Sequence, residues 1–202
     1  MKIKEIIKET HEDTIENLRN ECSQTIELMN KTNRTIYHGS NRRFNDIEKI
    51  TPKTGRTPKD TPQLLHNLIN EYLDEKKIKT DRSNSIFGLK SYDYHYTNSK
   101  FFILFPVNNA NVLWFENSED LFISLNRYIR KNYNKYTKNL SENEIDKNHL
   151  KQFLDTLKPN TSLKKYFYNN DYSLELMISS PVYVVNYKFF NTTDFKEQIG
   201  LK

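Results

Sequence analysis

The sequence Tyr37-His38-Gly39-Ser40 decides the fold that we expect for this chain of 202 residues. The residues before it read as a short strand that closes at the His-Gly pair. A second strand-like run, Tyr172–Ile178, carries one carboxylate, Glu175, among apolar side chains. Side chains alternate between the two faces of a strand, so Glu175 lies opposite the apolar residues on either side of it. If both faces of that strand are covered, Glu175 is a buried carboxylate and needs a purpose.

Both features also have a purely structural interpretation. A His-Gly pair after a strand commonly forms a turn, and Glu175 on an edge strand would simply face solvent. The two segments alone therefore do not distinguish a functional site from ordinary structural residues.

Hydrophobic periodicity predicts the remaining helices and strands. The expected helices are one long or broken amphipathic helix at Ile3–Met29, a helix with its apolar stripe at Leu64–Leu73, and helices at Asp120–Lys131 and Glu142–Leu157. The expected strands are Phe101–Phe105, Asn111–Phe115, Tyr172–Ile178 and Val182–Phe190. Helices first, followed by a strand-rich half with inserted helices, predict an α+β fold. We expect a helical extension at residues 1–33 and one domain at residues 34–202.

Composition excludes several classes of protein. The chain has only four glycines and no G-x-G-x-x-G or P-loop sequence, which excludes the usual phosphate cradles. Its single cysteine excludes an intrachain disulfide, and no histidine has a second ligand at metal-binding spacing, so we expect no metal. No apolar run approaches the ~20 residues that cross a bilayer, and the start lacks a signal-peptide core. We expect a soluble cytoplasmic protein without a membrane partner.

Three short segments resemble the ADP-ribosyltransferase family. Tyr37-His38-Gly39-Ser40 resembles the Tyr-His-Gly-Thr segment of the diphtheria-toxin and poly(ADP-ribose) polymerase branch. Arg82–Gly88 is similar to the serine-containing strand that follows in that branch, and Leu174–Ile178 is similar to its glutamate strand. The resemblance runs from about Arg34 to Phe190 and implies a split antiparallel sheet with an N-terminal helical extension. A bacteriophage-encoded member is one interpretation, in which case the location is the host cytoplasm.

The resemblance implies that NAD is the substrate and that ADP-ribose passes to a protein or nucleic acid with release of nicotinamide. His38 would bind a ribose hydroxyl, Gly39 would bracket the nicotinamide amide through its backbone, and Glu175 would be catalytic. The other implied site residues are Tyr37, Ser83 and Ser85, together with one stacking tyrosine among Tyr92, Tyr94 and Tyr96. Arg82 would bridge either the NAD phosphates or a core carboxylate. Arginine-modifying toxins carry an acid two positions before the glutamate, and this chain has Ser173 there.

A basic, tyrosine-rich run at Arg127–Lys138 supports an alternative function. With a net charge of +5, the chain permits attraction to nucleic acid or acidic partners. The candidate contact residues of this run are Arg127, Arg130, Lys131, Tyr133, Lys135 and Tyr136. The alternative is a non-enzymatic interaction protein that binds nucleic acid or a host protein through this surface. A solvated helix end explains the same run without any ligand.

Overall fold

A computed structural model describes residues 3–55, 62–91, 100–118, 120–135, 141 and 144–202. The strands are β1 (Tyr37–Ser40), β2 (Ile47–Ile50), β3 (Ile86–Leu89), β4 (Lys100–Pro106), β5 (Val112–Phe115), β6 (Pro159–Asn160), β7 (Glu175–Ile178) and β8 (Val182–Asn186). The helices are α1 (Ile3–Glu21), α2 (Ser23–Thr32), α3 (Gln63–Glu75), α4 (Leu121–Tyr133), α5 (Lys147–Thr156), α6 (Leu163–Tyr168), α7 (Tyr187–Phe190) and α8 (Thr193–Ile199).

The strands form one sheet in the order β2-β8-β4-β1-β3-β7-β5-β6, and neighbouring strands are antiparallel. The predicted α+β class with an antiparallel sheet is therefore confirmed. Strand β1 pairs with β4 over four residues but with β3 at one position, Tyr37↔Leu89. The junction between β1 and β3 thus joins two four-stranded halves through a single residue pair.

Buried side chains form two clusters, and the two faces of β7 belong to different ones. On β7, Leu176 and Ile178 belong to the cluster formed with α1, α2, α6 and α8, whereas Met177 belongs to the cluster formed with α3, α4 and α5. Strand β7 is therefore covered on both faces. This burial explains its apolar sequence, because alternating residues each face a layer of helices.

The N-terminal helices are bound to the sheet by polar as well as apolar contacts. Of the two alternatives for Ile3–Met29, one long or one broken helix, the structure has the broken one: α1 and α2 meet at Cys22. The thiol of Cys22 contacts the carbonyl oxygen of Phe105 at 3.3 Å, and the Thr25 hydroxyl donates to that of Pro106 at 2.8 Å. Cys22 and Thr25 are fully buried. The helical extension expected at residues 1–33 therefore contributes to the same core as the sheet.

Sequence periodicity gave the wrong structure after Asn186. The strand predicted at Val182–Phe190 ends at Asn186, and α7 follows it. The Asn186 side chain accepts a hydrogen bond from the backbone N–H of Lys188 at 2.9 Å. This is the N-cap interaction that begins a helix, and it turns the aromatic residues of α7 back over the sheet, where Phe190 contacts Phe105.

Candidate functional site

The three segments that carry the candidate motifs lie on three adjacent strands, β1, β3 and β7. Tyr37 is opposite Leu89, and Leu89 is opposite Glu175, so these residues form one row across the sheet. Paired residues of an antiparallel sheet project from the same face. The row therefore brings Tyr37 and Glu175 to one face although they are 138 positions apart in the chain.

The backbone of Gly39 faces the junction between β1 and β3. The N–H of Leu104 donates to the carbonyl of Ile36, which fixes the alternation of hydrogen-bonded pairs between β1 and β4. By that alternation the Gly39↔Phe101 pair is not hydrogen-bonded, and the Gly39 N–H and C=O are directed away from β4. On the other side, the register with β3 stops at Tyr37↔Leu89. Among the described residues, β1 and β3 are thus unpaired beyond Tyr37, and Gly39 directs its backbone groups toward this gap in the pairing.

The side chain of His38 reaches across this gap. Its Nδ1 atom lies 2.8 Å from the carbonyl oxygen of Phe87 on β3. His38 follows Tyr37 on β1, so alternation directs its side chain away from the face shared by Tyr37 and Glu175. The hydrogen bond to Phe87 instead holds the ring at the edge of the strand, where β1 and β3 separate.

Glu175 lies beside a guanidinium group. Arg82 Nη1 is 3.7 Å from Glu175 Oε2, and the side chains are only 13% and 17% exposed. This separation is an ion pair but is longer than a hydrogen bond. The Arg82 guanidinium also lies over the Phe87 ring, 5.2 Å from its centroid. Of the two partners expected for Arg82, the structure places it against the core carboxylate.

Phe87 connects the two candidate catalytic side chains. Its carbonyl contacts His38, while its ring supports the arginine beside Glu175. The next residue, Gly88, has no room for a side chain, because a Cβ atom would collide with Ile36 and lie 3.2 Å from Leu104. Glycine at this position lets β3 approach β1 closely, which gives the glycine of the Arg82–Gly88 segment a packing role.

The two serines expected to support the site are engaged in fixing the loop before β3. The Ser83 hydroxyl contacts His66 Nε2 and accepts from Asn70 Nδ2, each at 2.8 Å. The Ser85 hydroxyl donates to the carbonyl oxygen of Asp81. These contacts hold Arg82 between two anchored residues and tie its loop to α3.

Sequence reasoning missed the part of α3 that holds this loop. His66 is a polar residue among the apolar residues of α3, yet only 3% of its surface is exposed. His66 and Asn70 are four residues apart, so their side chains share one face of the helix. This spacing is the sequence feature that could have predicted their contact. A histidine and an amide that share a buried helical face require polar partners, and Ser83 supplies one.

A second missed group fixes the loop that leads into β7. Lys90 directly follows β3, and its ammonium donates to the carbonyl oxygens of Asn169 at 3.0 Å and Asp171 at 3.1 Å. Burial, with the nearby Arg34 as a second cause, lowers the pKa of Lys90 to about 8. The fully buried Tyr166 donates its hydroxyl to the Leu174 carbonyl at 2.9 Å, directly before Glu175.

The loop is also held from its other side. Arg34 donates through Nη1 to the Phe167 carbonyl at 2.6 Å, and its guanidinium lies 4.8 Å from the centroid of the Tyr172 ring. The Lys90 ammonium lies 4.4 Å from the centroid of the Tyr166 ring. Two cations therefore fix the segment that positions Glu175.

The residues of the basic run are of two kinds: some are exposed on α4, and others contact acidic residues that precede α5. Arg127 and Lys131 are exposed on α4, four residues apart. Lys135 instead forms an ion pair with Glu144, and the Tyr133 hydroxyl accepts from the Asp146 N–H at 3.1 Å. Arg130 is also exposed on α4. The candidate residues Tyr92, Tyr94, Tyr96 and Tyr136 lie outside the described residues.

Comparisons with protein-family models, with curated proteins and with solved structures each returned no match. In the described part of the chain, no group of three or more His, Cys, Asp or Glu side chains is placed to hold a metal ion. None of the described helices combines the length and apolar character that a membrane span requires.

Proposed function

We propose that this protein transfers ADP-ribose from NAD to a macromolecular acceptor and releases nicotinamide. The observation that carries the proposal is that Gly39 on β1 and Glu175 on β7 lie on either side of β3. Strand β7 is two strand spacings from β1, and Gly39 is two residues along β1 from the row that contains Glu175. The distance between the two backbones is therefore on the order of 12 Å. This separation suits a nicotinamide riboside that is held at its amide by one residue and approached at its ribose by the other.

The backbone of Gly39 supplies the contacts that an amide requires. A carboxamide has a donor and an acceptor, and the Gly39 C=O and N–H offer the matching pair at the gap. Nearby, His38 donates from Nδ1 to the Phe87 carbonyl, and we assign contact with a ribose hydroxyl to its other ring nitrogen, Nε2.

Glu175 supplies negative charge where the reaction develops positive charge. When the bond between the ribose C1′ and the nicotinamide nitrogen breaks, its electron pair neutralises the pyridinium ring and leaves an oxocarbenium-like ribose. A carboxylate near C1′ stabilises that state, and the acceptor's lone pair then forms the new bond to C1′ as its proton leaves. The Arg82 guanidinium lies beside this carboxylate, with Nη1 3.7 Å from Glu175 Oε2.

Replacement of Glu175 by glutamine tests the proposal, because the two side chains have the same shape. We expect Glu175→Gln to reduce nicotinamide release by at least about 100-fold while the melting temperature stays within a few degrees. Glu48→Gln is the matched control, since Glu48 is also a strand glutamate paired with an arginine, Arg42 Nη2 at 2.6 Å. Unchanged turnover in Glu175→Gln, or equal losses in both variants, would contradict the mechanism.

The acceptor is identified by following the ADP-ribose part of NAD. The protein is incubated with cell extract and NAD labelled in its adenylate portion, and the acid-insoluble label is then treated with protease or nuclease. Release by one of the two treatments identifies the class of acceptor. Label that stays acid-soluble in every extract, with nicotinamide still released, would show hydrolysis of NAD rather than transfer.

A further inference from the structure

A groove of about 630 Å³ lies between α4 and α5, on helices that contribute no residue to the β1–β3 junction. Arg127, Lys131 and Asn132 line it from α4, and His149, Gln152 and Phe153 line it from α5. No carboxylate is among the described residues that line the groove. The groove therefore combines cationic and hydrogen-bonding groups with an apolar, largely aromatic lining.

Two cations in this groove repel each other. Arg127 and Lys131 are four residues apart on one helix, a spacing at which like charges destabilise the helix. Neither has a carboxylate within ion-pair distance in the part of the chain that the structure describes. By contrast, Lys151 on α5 pairs with Glu75 of α3. An anion between Arg127 and Lys131 would remove this repulsion.

An aromatic pair lies beside the two cations. The rings of Tyr128 and Phe153 are stacked, with their centroids 4.3 Å apart and their planes at 17°. Both side chains line the groove and are half-buried. Burial and the neighbouring Tyr133 raise the pKa of Tyr128 to about 12, so its hydroxyl remains a donor at neutral pH. A planar ligand that stacks here would extend an existing aromatic stack.

We propose that the α4–α5 groove binds single-stranded nucleic acid. Arg127 and Lys131 contact successive phosphates, and an unpaired base stacks at the Tyr128–Phe153 pair. This combination of backbone cations and an aromatic platform is how single strands are bound without strict sequence preference. A duplex keeps its bases stacked on one another and cannot use the platform. The inference does not depend on the proposed NAD chemistry.

Binding of a short fluorescent oligothymidylate to the full chain, measured by fluorescence anisotropy without NAD, tests the inference. We expect Arg127→Gln/Lys131→Gln to weaken binding at least about tenfold and to reduce the salt slope by about 1.4, about 0.7 for each phosphate contact. The matched control is Arg43→Gln/Lys53→Gln, which removes the same charge from two exposed residues outside the groove. Equal weakening in both double variants, or no binding by the unaltered protein at low salt, would overturn the inference.

The aromatic platform is tested separately with Phe153→Leu, which leaves every charge in place. We expect this variant to lose affinity for oligothymidylate while it keeps its circular-dichroism spectrum. If Phe153→Leu fails to fold, the charge variants and their control decide the question. Competition by polyglutamate as strong as that by unlabelled oligothymidylate would show a surface for acidic proteins and overturn the assignment. Glu175→Gln should bind oligothymidylate normally, which separates this inference from the proposed enzymatic function.

Discussion

The Nδ1 atom of His38 lies 2.8 Å from the carbonyl oxygen of Phe87, across the gap between β1 and β3. A carbonyl oxygen only accepts, so Nδ1 carries the proton in this contact, and Nε2 is the ring nitrogen that we assign to the proposed substrate. The same Phe87 supports Arg82, which lies beside Glu175. One residue of β3 therefore orients the side chains on both sides of the candidate site.

Replacement of His38 by asparagine distinguishes the roles of the two ring nitrogens. The asparagine Nδ2 takes the place of Nδ1 and keeps the hydrogen bond to Phe87, while the acceptor at Nε2 is lost. We expect the melting temperature to be preserved and the KM for NAD to rise about tenfold, which corresponds to about 1.4 kcal/mol of binding. Initial rates of nicotinamide release over a range of NAD concentrations measure this effect. Full NAD affinity in His38→Asn would show that the ring does not contact the substrate.

Replacement of Arg82 by glutamine removes the cation beside Glu175. We expect kcat to fall about tenfold or more with little change in KM, because a carboxylate that is less well stabilised is less effective in the transition state. The free energy of unfolding should fall by roughly 1–3 kcal/mol, since a largely buried carboxylate loses a polar neighbour. Urea denaturation and initial rates measure the two effects.

Arg82→Lys is the companion variant, because lysine keeps the charge and loses the planar contact with Phe87. It should retain more activity than Arg82→Gln. Equal losses in the two variants would indicate that the contact with Phe87, rather than the charge near Glu175, is the important role of Arg82.

Lys90 makes stability depend on pH in the alkaline range. Its pKa is about 8 in the folded protein, below the ordinary lysine value of 10.5. Above pH 8 the unfolded chain therefore holds a proton that the folded protein has lost, and stability contributed by this residue rises with pH. We expect the unaltered protein to gain stability relative to Lys90→Met as pH increases from 7 to 9. Urea denaturation of both proteins at matched ionic strength tests the sign, and a parallel response of the two would contradict it.

The thiol of Cys22 should be unreactive in the folded protein. Burial, followed by the nearby Glu21 carboxylate, raises the pKa of Cys22 to about 12, so almost no thiolate exists at neutral pH. We expect no reaction with Ellman's reagent within minutes under native conditions and stoichiometric reaction in urea. Rapid labelling of the native protein would show that α1 and α2 open readily from the sheet.

Long apolar runs predicted two of the buried strands of the sheet well. The runs at Phe101–Phe105 and Asn111–Phe115 became β4 and β5 because both faces of these strands are buried. Strand β2 was not predicted, since it lies at the edge of the sheet and its Glu48 and Lys49 break the apolar pattern.

The candidate site was predictable only in part. The late strand that carries Glu175 followed from local sequence, but the first strand was predicted before the His-Gly pair, whereas β1 spans Tyr37–Ser40 and contains Gly39. The relative placement of Gly39 and Glu175 depends on the strand order, which no local pattern gives. The direction of the Gly39 N–H and C=O groups depends on which residue pairs between β1 and β4 are hydrogen-bonded. No local sequence pattern predicts this. The contact of Arg82 with Glu175 depends on the loop that His66 anchors through Ser83, and that long-range hydrogen bond has no sequence signature.

Because β1 and β3 share a single residue pair, the stability of the sheet and the proposed activity make opposite demands at this position. A second pair, Gly39 with Phe87, would strengthen the sheet, but it would use the very backbone groups that the proposed substrate requires. Selection for thermal tolerance alone would therefore favour sequences in which β1 and β3 pair along their full length. Such variants should be more stable and should lack the proposed transferase activity.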